Sequence, residues 1–401
     1  MPAWVIEPRD PLIARDGRPF GPEPGARARS LDFPFPSSIA GGVRNRAGLD
    51  AQGRFDRACI DAVKQIAVAG PLLVDLDDEN SIGEWYAPAP ADALLLTNAL
   101  HPEVAHLQWV RPLQLRTNEC VSPYPIPTLA PVGPAVFRTG KPHQKAPAFW
   151  GWKRFAQWLT APADHDSEAL CSLGLEKLRQ DWRMHVRIEA NTQTAFESFL
   201  FQTSGLVFTG LQRKRLGLLV EVTEPFKHFS GGLAPLGGER RLMRWIPSTK
   251  GLPTCPPAIY AQIIAQRACR IILLTPGFFS AGIHPEWLLN RTRLPATLKA
   301  VAIQRYQVVS GWAMAAPNRQ GSPGRPKPTS RLAPAGTTLF LTLPPKDQAS
   351  DAAVRNWIDA IWMQSVSDDD DTGSDQFRRD GFGLAAVGTW DGQLRTMEVS
   401  K

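Results

Sequence analysis

Apolar residues recur along this chain with two periods. Val354, Trp357, Ile358, Ile361 and Trp362 fall at i, i+3, i+4, i+7 and i+8, the spacing that gives a helix one apolar stripe. Met184 to Ile188 alternates, Phe199 to Phe208 holds two apolar runs around Thr203-Ser204-Gly205, and Leu216 to Val222 is nearly continuous, so strands are predicted there. Trp4 to Ile6 and Leu12 to Ala14 predict a first strand, and Ile39, Val43 and Ala47 give a following helix one apolar face. A helix around Ala58 to Val68, a strand over Leu94 to Ala99 and a short helix carrying Phe149, Trp150, Trp152, Phe155 and Trp158 come next. Gly48 to Pro90 reads as peripheral, and Pro112, Pro123, Pro125, Pro127, Pro131 and Pro134 exclude regular structure over much of the segment to Pro147.

The last third is better defined. Arg270 to Thr275, Ala300 to Ser310 and Thr337 to Leu343 predict strands, Pro285 to Leu289 a short helix, and a final strand follows Gly381 to Gly388. With the helix at Val354 to Trp362 the order is β-α-β-β-α-β, the ferredoxin-like arrangement, so the fold class is α+β.

Composition narrows the class. With 401 residues and 43% hydrophobic content the chain can bury a large core and is long enough for two domains. No run approaches 18 apolar residues and no charged n-region precedes an apolar run, so neither a membrane span nor a secretory signal is expected, and a cytoplasmic protein is. Cys59, Cys120, Cys171, Cys255 and Cys269 are odd in number, widely spaced and free of C-x-x-C pairs, which argues for free thiols over disulfides or zinc. Forty-five Lys and Arg against 38 Asp and Glu give a net charge of +7 and a pI near 9.3, a balance that suits a polyanionic partner.

Four stretches concentrate the basic and glycine residues. From Asp10 to Arg46 a long loop feeds Arg15, Arg18, Arg27, Arg29, Arg44 and Arg46 toward a helix opening at Ser37-Ser38. Either serine can cap that helix, whose free N–H groups favour an anion such as phosphate, and Gly41 and Gly42 permit close approach. Between Gly231 and Ile246, Gly237 and Gly238 stand directly before Glu239, Arg240 and Arg241. Gly311 to Pro334 is a proline-rich loop with Arg319, Arg325, Lys327 and Arg331, and Gly381, Gly383 and Gly388 punctuate the last loop. Glycine backbone can approach a phosphate chain while neighbouring arginines neutralise it. The plainer reading of each stretch is a surface loop or tight turn with solvated charges.

Other chemistries fit less well. G-x-G-x-x-x-x-G at Gly381 to Gly388 is not the dinucleotide fingerprint, since only thirteen residues follow it, and neither Gly-Lys-Ser/Thr nor G-x-S-x-G occurs. No cofactor is expected. Asp368 to Asp371 reads as a solvated loop, because four consecutive carboxylates cannot all face one metal.

The chain resembles the RAMP proteins of CRISPR systems, and within them the family of third subunits of the Cmr (type III-B) effector complex. The resemblance is carried by PLIARDGRPF and SLDFPFPSSIAGGVR, RMHVRIEANTQTAFESFLFQTSGL, PLGGERR, VVSGW with GRPKPTSRLAPAGT, and GFGLAAVG, in a consistent order. It implies two ferredoxin-like (RRM-like) RAMP domains, residues 1–255 with an insertion at about 48–181, and residues 256–401 ending in the glycine-rich loop. It also implies a non-catalytic subunit that binds the 5′ tag of the crRNA, meets target RNA indirectly, and docks the large polymerase-like subunit and the backbone subunits in antiviral defence. Some RAMP proteins process precursor crRNA with a histidine, so His185, between Arg183 and Arg187, is either a general base for attack by a 2′-hydroxyl or an RNA-contacting or structural residue. No second histidine or acid stands beside it in sequence, which favours the latter.

Overall fold

Strand β1 (Ala3–Pro8) is buried along most of its length and leads to helix α1 (Pro36–Ala47). The computed structural model describes residues 1–15, 27–28, 30–50, 52–98, 101–115, 129–210, 214–223, 231–317, 323–370 and 372–399. After α1 come β2 (Val68–Leu76), β3 (Ile82–Pro88), β4 (Ala93–Thr97), β5 (Val104–Pro112) and helix α2 (Trp152–Thr160). A long hairpin, β6 (Arg179–Ile188) with β7 (Ala195–Val207), precedes β8 (Arg215–Val222) and β9 (Leu242–Ser248). Helix α3 (Pro257–Gln266) is followed by β10 (Ala268–Leu273), β11 (Thr297–Ala302), β12 (Ser330–Ala333), β13 (Thr338–Thr342), helix α4 (Asp351–Ile361) and β14 (Ala385–Thr389).

The two main sheets of this strand-rich α/β protein take up about half of its described strands. The larger runs β3-β2-β8-β1-β9, extended by short strands beyond β3 and β9, and its β1 pairs antiparallel with both β8 and β9. The second runs β11-β13-β10-β14, again antiparallel throughout. Strand β10 sits inside this sheet and is buried at every residue, so its positions are apolar except for Arg270. The stripe Val354, Trp357, Ile358 and Ile361 lies on α4 and packs into the same core, and the Ser350 hydroxyl caps that helix by accepting from Ala353 N–H at 3.1 Å. No described helix is long and apolar enough to cross a membrane.

Several sequence expectations are corrected. Gly48 to Pro90 is not peripheral: β2 and β3 join the large sheet, because Val68–Leu76 is a nearly continuous apolar run that needs burial on both faces. The helix expected around Ala58 to Val68 shrinks to a 3-10 turn at Arg57–Cys59 and one turn at Ile60–Lys64, since Val68 already belongs to β2. The proline-rich segment still contains β5, which ends at Pro112 where a missing N–H is tolerated, while residues 116–128 lie outside the described residues. The aromatic cluster divides between a short strand, Phe149–Gly151, and α2, and Trp150, Phe155 and Trp158 are core.

The expected insertion also supplies one wall of the C-terminal core. Leu95, Leu107, Phe155, Trp158 and Leu159 pack with Ile271, Ile272 and Val387. At the junction Arg270 of β10 is fully buried and ion-paired with the equally buried Asp92. Its Nε donates to Thr389 O at 2.8 Å and its Nη2 to Trp158 O at 2.6 Å, while Trp158 Nε1 donates to Asp92 Oδ1 at 3.0 Å. A buried charge pair is tolerated only when its remaining hydrogen-bonding capacity is filled in this way.

The acidic run differs from expectation too. Asp368 is buried and accepts from Ser280 N–H at 3.0 Å and Trp287 N–H at 2.7 Å, and Asp369 pairs with Arg378 at 2.6 Å. These carboxylates tie loops together rather than face solvent, and sequence spacing alone carries no sign of the distant partners.

Candidate nucleic-acid interface

The described ends of the arginine-rich segment, Leu12–Arg15 and Ser30–Leu31, are held together. Leu31 N–H donates to Ala14 O at 2.7 Å, Arg15 bridges Ser30, and Ser30 N–H donates to Ser204 Oγ of β7 at 3.0 Å. Leu12 and Leu206 exchange backbone hydrogen bonds, so the base of the hairpin β6–β7 abuts the same point.

The Gly237–Gly238 turn joins from another side. Gly238 N–H donates to Ile13 O at 2.8 Å, and Gly237 has φ +76°, where an added Cβ would sit 2.6 Å from that carbonyl oxygen. Glycine is required here to let the turn lie against the chain at Ile13. Glu239 and Arg240 continue in the left-handed region at φ 55° and 50°, an uncommon conformation for residues with side chains, and Arg240 is exposed.

The C-terminal half reaches this region through an apolar contact. Phe35, at the return of the arginine loop, clusters with Phe278, Val309, Leu332 and Phe382. Arg331 precedes Leu332 on β12, is exposed, and lies over the Tyr306 ring at 5.1 Å. Lys327 is exposed as well. Arg15 and Arg240 therefore come from two distant stretches joined at Ile13, and Arg331 is linked to them through Leu332, which shares the apolar cluster of Phe35.

Other expected residues are placed differently. Helix α1 starts at Pro36 with Phe35 as its cap residue and no side-chain cap, so Ser37 and Ser38 lie within the first turn rather than capping it. Proline at the first helical position needs no N–H partner, which makes a serine cap dispensable. Arg44 is committed internally: it is ion-paired with Asp380 and donates to Ile66 O at 2.8 Å and Arg379 O at 3.2 Å. Arg46 lies over the Trp245 ring at 5.1 Å, and burial lowers its pKa to about 10. Arg18 and Arg29 lie outside the described residues, as do the side chains of Arg27 and Arg325. The backbone of Arg27 pairs with Gln202 of β7, and that of Arg325 with Ala313.

The last glycine loop is corrected outright. Gly381, Gly383 and Gly388 are all buried. Gly381 has φ +93° and an added Cβ would meet the carbonyl oxygens of Val68 and Gly70 in β2, each at 2.6 Å. Gly383 has φ +73° and faces Ser367 N at 2.8 Å, and Gly388 faces Leu159 O at 3.2 Å. The close approach these glycines permit is made by the chain's own backbone, so they leave the candidate interface. His185 is half-buried on β6, with Nε2 3.0 Å from Thr203 Oγ1 and its ring stacked on Phe201 at 5.2 Å.

Sequence reading missed the surface of the hairpin. Trp182, Met184, Val186 and Ile188 are all exposed; their alternation was legible as a strand, but nothing in it said which face would be covered. Among the described residues no group of three or more His, Cys, Asp or Glu is placed to hold a metal. A cavity of about 430 Å³ borders Tyr86, Arg154 and Lys214, but Arg154 is paired with Glu168 at 3.0 Å and Lys214 with Asp75 at 3.1 Å.

Comparison with known proteins defines the class as a CRISPR-associated protein. Residues 4–390 match the family described as CRISPR-associated protein (Cas_Cmr3), and the chain belongs to that family. Among solved structures it is similar to a chain of the type III-B Cmr-beta complex bound to cognate target RNA, with 14% identity, 84% of this chain and 86% of that chain covered, and a TM-score of 0.45. It is also similar to a chain of the Csm3-Csm4 subcomplex of the type III-A interference complex, with 10% identity, 86% and 100% coverage, and a TM-score of 0.32. A comparison with curated protein sequences yields no match.

Proposed function

We propose that this chain is a non-catalytic subunit of a type III-B effector complex that holds the 5′ tag of the crRNA and docks the large polymerase-like and backbone subunits. Support for the RNA-binding part rests on one observation above all: the hydrogen bond from Gly238 N–H to Ile13 O sets the Gly237–Arg240 turn against the root of the arginine loop. Arg15 and Arg240, joined by Arg331 and Lys327 from the C-terminal half, would line a path for phosphates. Cations from several elements along one path suit a backbone that must be positioned without being cut.

The two sheets support two ferredoxin-like units. In β2-β8-β1-β9 and in β11-β13-β10-β14 the spatial order is second, third, first, fourth by sequence, with α1 and α4 among the crossovers. The insertion expected at about 48–181 would then begin only after β2, which is one of the four strands of the first unit, and its residues Leu95, Leu107, Phe155 and Trp158 pack onto the second unit.

A processing ribonuclease would need a histidine poised over its substrate, whereas the His185 ring is engaged by Thr203 and Phe201. Incubating the purified protein with crRNA repeat RNA in the absence of metal is expected to leave the RNA bound and uncut, for wild type and His185→Ala alike. Robust metal-independent cleavage that disappears in His185→Ala would replace this reading with the nuclease.

A further inference from the structure

The hairpin β6–β7 carries a surface that the RNA-binding reading does not use. Strand β6 is the outermost of its sheet, followed by β7 and then Arg27–Ala28, and no described strand pairs with its outer edge. Trp182, Met184, Val186 and Ile188 are 49, 59, 43 and 53% exposed, and the two-residue period of a strand puts them on one face. Leu200, opposite Val186, is 50% exposed and extends that face, while Gln202 and Ser204 stand opposite Met184 and Trp182. The alternate positions of β6 are Arg179, Asp181, Arg183, His185 and Arg187, so one face is apolar and the other cationic. Soluble proteins blunt free strand edges with prolines, bulges or short length, and seldom leave contiguous apolar surface uncovered. β6 has ten residues and no proline, and its one register irregularity is confined to Val186–Ile188 near the tip.

We propose that the outer edge of β6 accepts an extended strand from a partner protein, one that alternates apolar with acidic residues. The inference rests on the reading of this chain as a subunit of an effector complex. The stripe from Trp182 to Ile188 spans about 20 Å at strand rise, enough for an added strand of about six or seven residues. On the apolar side the added strand covers Trp182, Met184 and Val186; on the other its carboxylates stand beside Arg179 and Arg183, the favourable cross-strand pairing of opposite charges.

Charge selects against the two other occupants. A second copy pairing antiparallel along this edge would set Arg179, Arg183, His185 and Arg187 against one another. The strand's one acid on that face, Asp181, pairs with Arg183 at 2.7 Å and is too little charge to offset the other cations, whereas a partner strand can bring several carboxylates. An RNA strand on the apolar face would find no cation on that face of β6 for its phosphates, and beyond the single indole of Trp182 the residues Met184, Val186 and Ile188 have no π-face on which successive bases could stack.

The test is amide hydrogen exchange of the full chain, isolated and within the effector complex purified from its host, each measured before and after ribonuclease treatment. Exchange at Trp182 to Ile188 is expected to be at least tenfold slower in the complex and independent of concentration in the isolated chain. Rebuilding the complex with Trp182→Ser, or separately with Arg183→Glu, is expected to return these amides to the isolated rate. Both side chains are exposed, so the melting temperature of either variant should match wild type. Equal exchange in the two states overturns the proposal. Protection that ribonuclease abolishes assigns the edge to RNA, and protection that grows with concentration of the isolated chain assigns it to a second copy; either result overturns it as well. Failure of the chain to co-purify with the complex overturns the subunit reading and this inference together.

Discussion

Replacing Arg270 by methionine is expected to destabilise the protein by about 3–5 kcal/mol, the cost of leaving one partner of a buried ion pair without the other. The guanidinium is fully buried and spans three parts of the chain: Asp92 from the insertion, the Trp158 carbonyl at the end of α2, and the Thr389 carbonyl on β14. Its removal strands the Asp92 carboxylate among Trp158, Thr338 and the aromatic core, where water cannot solvate it. Two carbonyls lose their donor at the same time. Thermal or chemical denaturation followed by circular dichroism measures the loss. A variant within about 0.5 kcal/mol of wild type, the range of ordinary surface substitutions, would show that the insertion does not depend on this contact.

Gly381→Ala is expected to cost about 2–4 kcal/mol, combining a left-handed backbone conformation with a steric conflict. At φ +93° an alanine is strained before any neighbour is considered. The added methyl then meets the Val68 and Gly70 carbonyl oxygens at 2.6 Å, and both belong to β2, which sits inside the large sheet and cannot retreat. RNA affinity of the folded variant should stay within twofold of wild type. Denaturation and RNA binding measured on the same protein separate the two roles. Intact stability with lost affinity would return this glycine to the RNA-binding surface.

These two positions show where sequence reading reached and where it stopped. Periodicity located α4 through Val354, Trp357, Ile358 and Ile361, and it located β8 and β10 through their apolar runs, because local pattern and burial agree there. It misjudged Val68–Leu76 because the preceding residues carry helical spacing, and because the need to bury both faces of a strand appears only when the neighbouring strands are known. Glycine gave an ambiguous signal. The same missing side chain admits a phosphate or a backbone, so Gly237 and Gly381 read alike in sequence, yet one holds a turn against Ile13 beside exposed Arg240 and the other is filled by β2. Arginine was ambiguous for a related reason. Arg44 and Arg331 are indistinguishable by composition, and only the fold brings Asp380 to the first and leaves the second exposed.

The central claim is that three separate basic elements form one RNA-binding surface, and the salt dependence of binding tests it most directly. The measurement compares wild type with the triple variant Arg15→Ala, Arg240→Ala, Arg331→Ala, which removes one cation from each element, on single-stranded crRNA carrying its 5′ tag. The logarithm of the binding constant is followed against the logarithm of salt concentration. Each lost phosphate contact should flatten the slope by about 0.7, so the triple variant is expected to lose about two units of slope, with weaker binding at low salt and an unchanged melting temperature. An unchanged slope in a folded triple variant would contradict the account.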